Sequence, residues 1–249
     1  MGGHSKWANI KHRKAAQDSK KGKVWTKCSR EITIAAKIGG GKVESNARLR
    51  KAIEDARAVN MPAENVKRAV QKGTGEIPGV VYEELTMEGY GPGGIAIYCE
   101  GTTDNRNRTT NEIRRIFENH GGNMGTPGCV AFLFEKRGVI AVPRAAMAED
   151  AFLELALELG AEDVKTDESG YEVLTTQHSF EAVRDGLKAK GLTPESAEVA
   201  MLPKTSVTVD RAGAEKNLKV IEALEEHDDV ANVYANFDIP DEVLAALEK

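Results

Sequence analysis

Cysteine is scarce in this chain: Cys28, Cys99 and Cys129 are the only three in 249 residues, odd in number and widely spaced. That pattern excludes a disulfide framework and a zinc motif built on paired cysteines, and it suits a reducing cytosol. Aromatic residues make up 5%. Long apolar runs are missing, since no window approaches the roughly 18 uninterrupted apolar residues of a membrane helix, and the mean hydropathy of −0.41 agrees. The start has no apolar stretch of the kind a secretory signal needs. "MGGHSK" departs from a myristoylation site, because Lys6 stands where Ser or Thr is required. "KKGK" makes a poor amphipathic helix, which weakens an organelle-import reading of the basic start. The expectation is a soluble, cytoplasmic protein with no membrane partner.

What the chain has in quantity is charge, unevenly placed. Residues 4–27, "HSKWANIKHRKAAQDSKKGKVWTK", hold eight Lys or Arg against one acid, Asp18, in a chain of net charge −5. Residues 1–75 hold 18 Lys and Arg against 6 Asp and Glu, a net of +12, while the remainder holds 16 against 33, a net of −17. Charges that merely keep a surface wet do not segregate this way, so the split points to a polyanion-binding region joined to an acidic body.

Periodicity predicts an α+β protein. Residues 1–78 read as a small basic helical bundle. Val24, Cys28, Ile32 and Ala35 share one face before Gly39-Gly40-Gly41. Ser45 or Asn46 caps a second helix striped by Leu49, Ile53, Ala56 and Val59, and Pro62 opens a third that carries Val66, Ala69 and Val70. "GTGEIPG" (73–79) reads as a linker. Residues 137–203 follow the order β-α-β-β-α-β, the ferredoxin-like pattern. Before them stand the strand-like "EELTMEGY" (83–90), joined by the turn-rich "GPGG" to a strand at 95–100, then a helix at 105–119 and a strand at 130–135. A strand at 206–209, a helix and a strand at 230–237 follow. Read together, 79–136 and 204–249 give a second ferredoxin-like α/β sandwich into which the first is inserted.

Lys and Arg along the opening stretch suit a phosphate-binding arm, and two readings stand for Trp7: stacking on unpaired bases, or packing against the bundle. Trp25 beside the apolar stripe reads as core. His4 and His12 can add phosphate donors but lack the companions a metal site needs. "TTDNRNRT" (102–109) follows a strand and opens a helix. Free N–H groups there, with Arg106 and Arg108, suit an anion, and a helix capped by Asp104 or Asn105 with solvated arginines is the alternative. Gly89, Gly91 and Gly94 satisfy G-x-G-x-x-G, yet a strand follows, so a hairpin loop replaces the dinucleotide reading. "GGGK" (39–42) lacks the flanking residues of a phosphate loop. "EEHDD" (225–229) offers hard ligands plus a His and reads as a solvated acidic loop. His120 and Cys129 lack a third group that would make a thiol nucleophile.

Four stretches also carry a resemblance: "GGHSKWANIKHRK" at the start, "NMPAENVKRAV" (60–70), "YEELTMEGYGPGG" (82–94) and "TDNRNRT" (103–109). In order along the whole chain, they resemble the YebC family, which includes the mitochondrial translational activator of cytochrome oxidase. The resemblance implies a helical N-terminal domain with two α/β domains. It also implies a regulator of gene expression, described in the family both as a DNA-binding transcriptional regulator and as a ribosome-associated factor that relieves stalling at proline runs. The expected nucleic-acid contacts are Lys6, Trp7, Lys11, His12, Arg13, Lys14, Lys20, Lys21, Lys23, Lys27, Arg30, Arg106 and Arg108. No catalytic residue, metal or cofactor is expected. Partners are nucleic acid, either rRNA and tRNA at the ribosome or DNA. Lys contacts phosphate as a point charge, and no helix-turn-helix signal is present. Recognition by shape on a ribosome is therefore expected ahead of an operator sequence. A sequence-specific transcription factor and a protein-interaction scaffold are the alternatives. Oligomeric state is left open by the sequence, with a monomer sufficient for this reading.

Overall fold

Helix α1 (Lys21–Gly39) buries Ile32, Ala35 and Ala36 on one face, with Trp25 and Cys28 packed against the same cluster. It begins the described part of the computed structural model, which covers residues 21–167, 170–240 and 242–244. The expected contacts Lys6, Trp7, Lys11, His12, Arg13, Lys14 and Lys20 lie outside the described residues, as does the side chain of Lys21. Asn46 joins α1 to α2 (Ala47–Ala58): its Oδ1 accepts the Leu49 N–H at 3.0 Å, while its amide donates to the carbonyls of Ala35 and Gly40, both at 2.8 Å. One side chain thus caps the start of one helix and the end of another. Helix α3 (Ala63–Thr74) follows Pro62 and stops at the left-handed Gly75. Leu49, Ala52, Ile53, Ala56, Met61 and Ala69 complete the cluster.

The next elements are β1 (Glu83–Gly91) and β2 (Ile95–Thr103), a hairpin with nine residue pairs in register around a short turn at Pro92–Gly94. Helix α4 (Arg106–Asn119) and the two-residue strand β3 (Asn123–Met124) follow. The next six elements are β4 (Phe134–Pro143), α5 (Glu149–Glu158), β5 (Asp163–Thr166), β6 (Gly170–Thr176), α6 (Phe180–Ala189) and β7 (Ser196–Pro203). The chain ends with β8 (Val207–Thr208), α7 (Arg211–Glu225), β9 (Val230–Ala235) and β10 (Phe237–Asp238).

These elements form two compact units among the described residues. The first unit gathers Phe132–Val209 and the residues from Asn236 onward. Its sheet runs β5-β6-β4-β7 with antiparallel neighbours, the ferredoxin-like order expected from the sequence. Its core holds Ile140, Val142, Val173, Val183 and Leu187, with the rings of Phe152 and Tyr171 stacked 4.1 Å apart.

The second unit comprises the three helices, the residues up to Ala131, and Asp210–Ala235. Its sheet runs β3-β1-β2-β9, again antiparallel throughout. The layout is ferredoxin-like, but two strands differ from the expected ones. The slot expected for 206–209 is filled by β1, because a tight local hairpin pairs nine residues at little loop-closure cost. Residues 207–208 pair instead, in parallel, with Phe237–Asp238. The strand expected at 130–135 is a short 3₁₀ turn running into β4, which continues through Gly138 without a break. The place expected for it in the β1–β2 sheet is taken by β3.

Gly89 and Gly91 explain the G-x-G match. A Cβ at Gly89 would strike the Phe117 ring and one at Gly91 the Asn217 side chain, so both glycines let α4 and α7 lie close on the sheet. Gly94 belongs to the hairpin turn, with φ of 77°.

Candidate functional site

The corner between α7 and β9 is where the charges meet. Glu226 and Asp228 are exposed, as a solvated acidic loop requires, but Asp229 is 2% exposed and departs from that reading. The end of β2 brings this corner close: the Thr102 N–H donates to the Asp229 carbonyl at 2.8 Å, and a Cβ on Gly101 would collide with that same oxygen. One carboxylate oxygen of Asp229 pairs with the Arg30 guanidinium. The other accepts from Arg108 at 2.7 Å, the Thr109 hydroxyl at 2.5 Å and the Thr103 hydroxyl at 3.3 Å. Burial alone would push this carboxyl up. Donation from Thr109 and Arg108, with the charges of Arg30 and Arg108, outweighs burial and holds it below the usual carboxylate range.

Three bases of α1 converge on this corner. Lys23 donates to the Glu226 carbonyl at 3.1 Å, Lys27 to the Glu225 carbonyl at 2.5 Å, and Arg30 to the Asp228 carbonyl at 2.6 Å. These carbonyls belong to the end of α7 and the turn after it, where unpaired acceptors and the helix dipole favour cations. Arg30 also lies over the Tyr82 ring, 5.5 Å from its centroid. Expected as phosphate contacts, Lys23, Lys27 and Arg30 are here engaged by the protein itself.

Arg106 and Arg108 are engaged likewise. Arg106 bonds the Glu83 carboxylate at 3.0 Å and the Glu84 carbonyl at 3.1 Å. Arg108 bonds Asp104 at 2.8 Å besides Asp229. Asn105 caps α4 by accepting the Arg108 N–H at 3.1 Å, which removes one of the donors an anion would use. The alternative therefore holds for the cap, and the two arginines, with side chains 53% and 42% exposed, are solvated as well as ion-paired.

Glu112, His227 and Asp229 present ligand atoms within 4.8 Å of one another. His227 Nδ1 accepts the Asp229 N–H at 3.1 Å, so in the neutral ring Nε2 carries the proton, which it donates to Glu112 at 2.9 Å. Neither ring nitrogen keeps a lone pair for a cation, and the Asp229 oxygens are in use. The group fits a hydrogen-bond network better than an ion site.

A further buried acid was not anticipated. Glu88 on β1 accepts the N–H groups of Gly128 at 2.7 Å, Val130 at 2.8 Å and Ala131 at 2.7 Å. It pins the loop after β3, and its signal in sequence is only an acid within the otherwise alternating strand "EELTMEGY". Nearby, His120 Nδ1 bonds the Ile116 carbonyl at 2.8 Å, while burial pushes the Cys129 thiol up, opposite to what a nucleophile needs.

Cations without such partners lie elsewhere in the helical region. Lys42, Arg57, Lys67, Arg68 and Lys72 are exposed, and among the described residues no hydrogen bond or ion pair holds their side chains.

Together these features define an α+β protein whose basic helical region is latched, through α1, onto a ferredoxin-like sheet module. The chain belongs to the TACO1/YebC family. Residues 5–76 match the N-terminal domain of that family and residues 82–237 its second and third domains. A probable transcriptional regulatory protein of Dictyoglomus turgidum is 59% identical over 99% of this chain and 100% of its own length. One of Elusimicrobium minutum is 49% identical, with both chains covered in full. The crystal structure of a conserved hypothetical protein from Aquifex aeolicus superposes with a TM-score of 0.81 at 46% identity, covering 91% of this chain and 94% of that one. No helix among the described residues is long and apolar enough to cross a membrane.

Proposed function

We propose that this protein is a non-catalytic regulator of gene expression that binds nucleic acid through its basic N-terminal region. The observation that carries the reading is the charge split, +12 over residues 1–75 against −17 over the rest. A cationic end approaches a phosphate backbone while the acidic body is repelled from it, so the molecule is oriented as it binds. The names of the relatives, probable transcriptional regulatory proteins, support a regulatory role. Lys-rich contacts carry little sequence information, which favours RNA on a large particle such as a translating ribosome, with DNA binding largely electrostatic. The second reading, a transcription factor that selects one duplex sequence, is favoured by those same names. Binding to ribosomes, structured RNA and random duplex DNA at matched salt separates the two. Comparable affinity for RNA and random DNA, with co-sedimentation on ribosomes, is expected. Preference for one short duplex by about a thousandfold over random DNA would establish the transcription factor instead.

A further inference from the structure

We infer that the outer face of α3, flanked by Lys42, is the phosphate-contacting surface of the helical region, and that Lys23, Lys27 and Arg30 of α1 serve docking instead. This inference rests on the nucleic-acid reading above and concerns which residues carry it.

At about 100° per residue, Val66, Ala69, Val70 and Gly73 fall on one side of α3. That side faces α1: Ala69 and Val70 join the helical core, and Gly73 lies against the Thr33 carbonyl and the Ala36 methyl. Lys67, Arg68 and Lys72 fall on the opposite arc and are exposed. Gly41 packs on Val70 and Thr74, which sets the next residue, Lys42, beside the last turn of α3. The linker also runs along this turn, for the Ile77 N–H donates to the Gln71 carbonyl at 3.3 Å and Gly79 approaches the Lys72 stem. That contact steadies the Lys72 side chain while leaving its ammonium in water. The one acid within α3 is Glu64, in its first turn.

The contrast with α1 decides the assignment. Lys23 and Lys27 would each have to surrender a bond to a carbonyl, and Arg30 one to a buried carboxylate, before meeting phosphate. Lys42, Lys67, Arg68 and Lys72 surrender only hydration and counterions. Four such contacts to a duplex correspond to a slope of log K against log salt of about −3.6, and to about −2.8 on a single strand.

The test compares the full chain with two variants by fluorescence anisotropy, using a labelled random-sequence RNA hairpin and a random DNA duplex over a salt series. One variant changes Lys42, Lys67, Arg68 and Lys72 to Ala; the other changes Lys23 and Lys27 to Ala. The expected result is that the α3 variant loses about tenfold or more in affinity and shows a salt slope shallower by about 3, with its melting temperature preserved. Lys67→Arg with Lys72→Arg is expected to bind as the parent does. The α1 variant is expected to melt earlier and keep the parental salt slope. A parent that binds while the α3 variant keeps its affinity and slope, or a loss confined to the α1 variant, would overturn the inference alone. A parent that binds neither probe would overturn the nucleic-acid reading as well.

Discussion

Replacing Asp229 by Asn removes one charge from the interior with little change of shape. Two guanidinium groups then face a neutral amide. The Arg30 side chain is 14% exposed, so it cannot regain full hydration, whereas that of Arg108 is 42% exposed and retains Asp104. Removing one partner of a buried pair costs about 3–5 kcal/mol, and the remaining Arg30 bond to the Asp228 carbonyl favours the lower end, about 3 kcal/mol. For a chain of this size that is a fall in Tm of about 6–12 °C. Thermal melts followed by circular dichroism read it, and a cycle with Arg30→Met isolates the pair. Coupling of at least about 1 kcal/mol is expected; simple additivity would refute the reasoning. The pH dependence gives a second reading of the same residue. Because the folded Asp229 carboxyl lies below its unfolded value, its contribution is complete above the unfolded value and is lost as pH falls through the folded one. The Asn variant should therefore show a flatter acid limb than the parent. An unchanged limb would count against the network.

Two other substitutions probe separate parts of the second unit. Gly101→Ala places a methyl against the Asp229 carbonyl and should cost roughly 2–3 kcal/mol, measured by denaturant unfolding; a cost below about 0.5 kcal/mol would show that the β2–β9 approach can relax. Glu88→Gln weakens three charge-assisted bonds and should cost about 1.5–3 kcal/mol. It should also speed hydrogen exchange at Gly128, Val130 and Ala131, and unaltered exchange there would contradict the pinning role.

Much of the architecture was legible because its signals are local. Gly39 to Gly41, Asn46 and Pro62 mark helix ends through their own backbone preferences, and the order of elements in 137–203 follows from periodicity alone. Strand pairing in the second sheet was less accessible. Residues 206–209 and 83–91 both read as extended, and what separates them is a nine-pair register with β2 that no single segment displays. The site divides along the same line. The excess of bases at one end is a sum over residues, and sums survive without coordinates. Which bases are spent internally depends on contacts such as Arg30 with Asp229, 199 positions apart. Asp229 gave no warning, since a carboxylate in "EEHDD" looks the same in sequence whether wet or buried. Glu88 was hidden for the same reason.

That separation matters during synthesis. Helix α1 is made about 200 residues ahead of the corner that receives Lys23, Lys27 and Arg30. At roughly 5–20 residues per second, the nascent helical segment waits about 10–40 s for its counterpart. During that interval its cations are unclaimed beside the anionic particle that is making it, and the open edge of β2 also awaits β9. The latch closes only once residue 229 has been made, so its formation reports that α1 and the corner between α7 and β9 are both present.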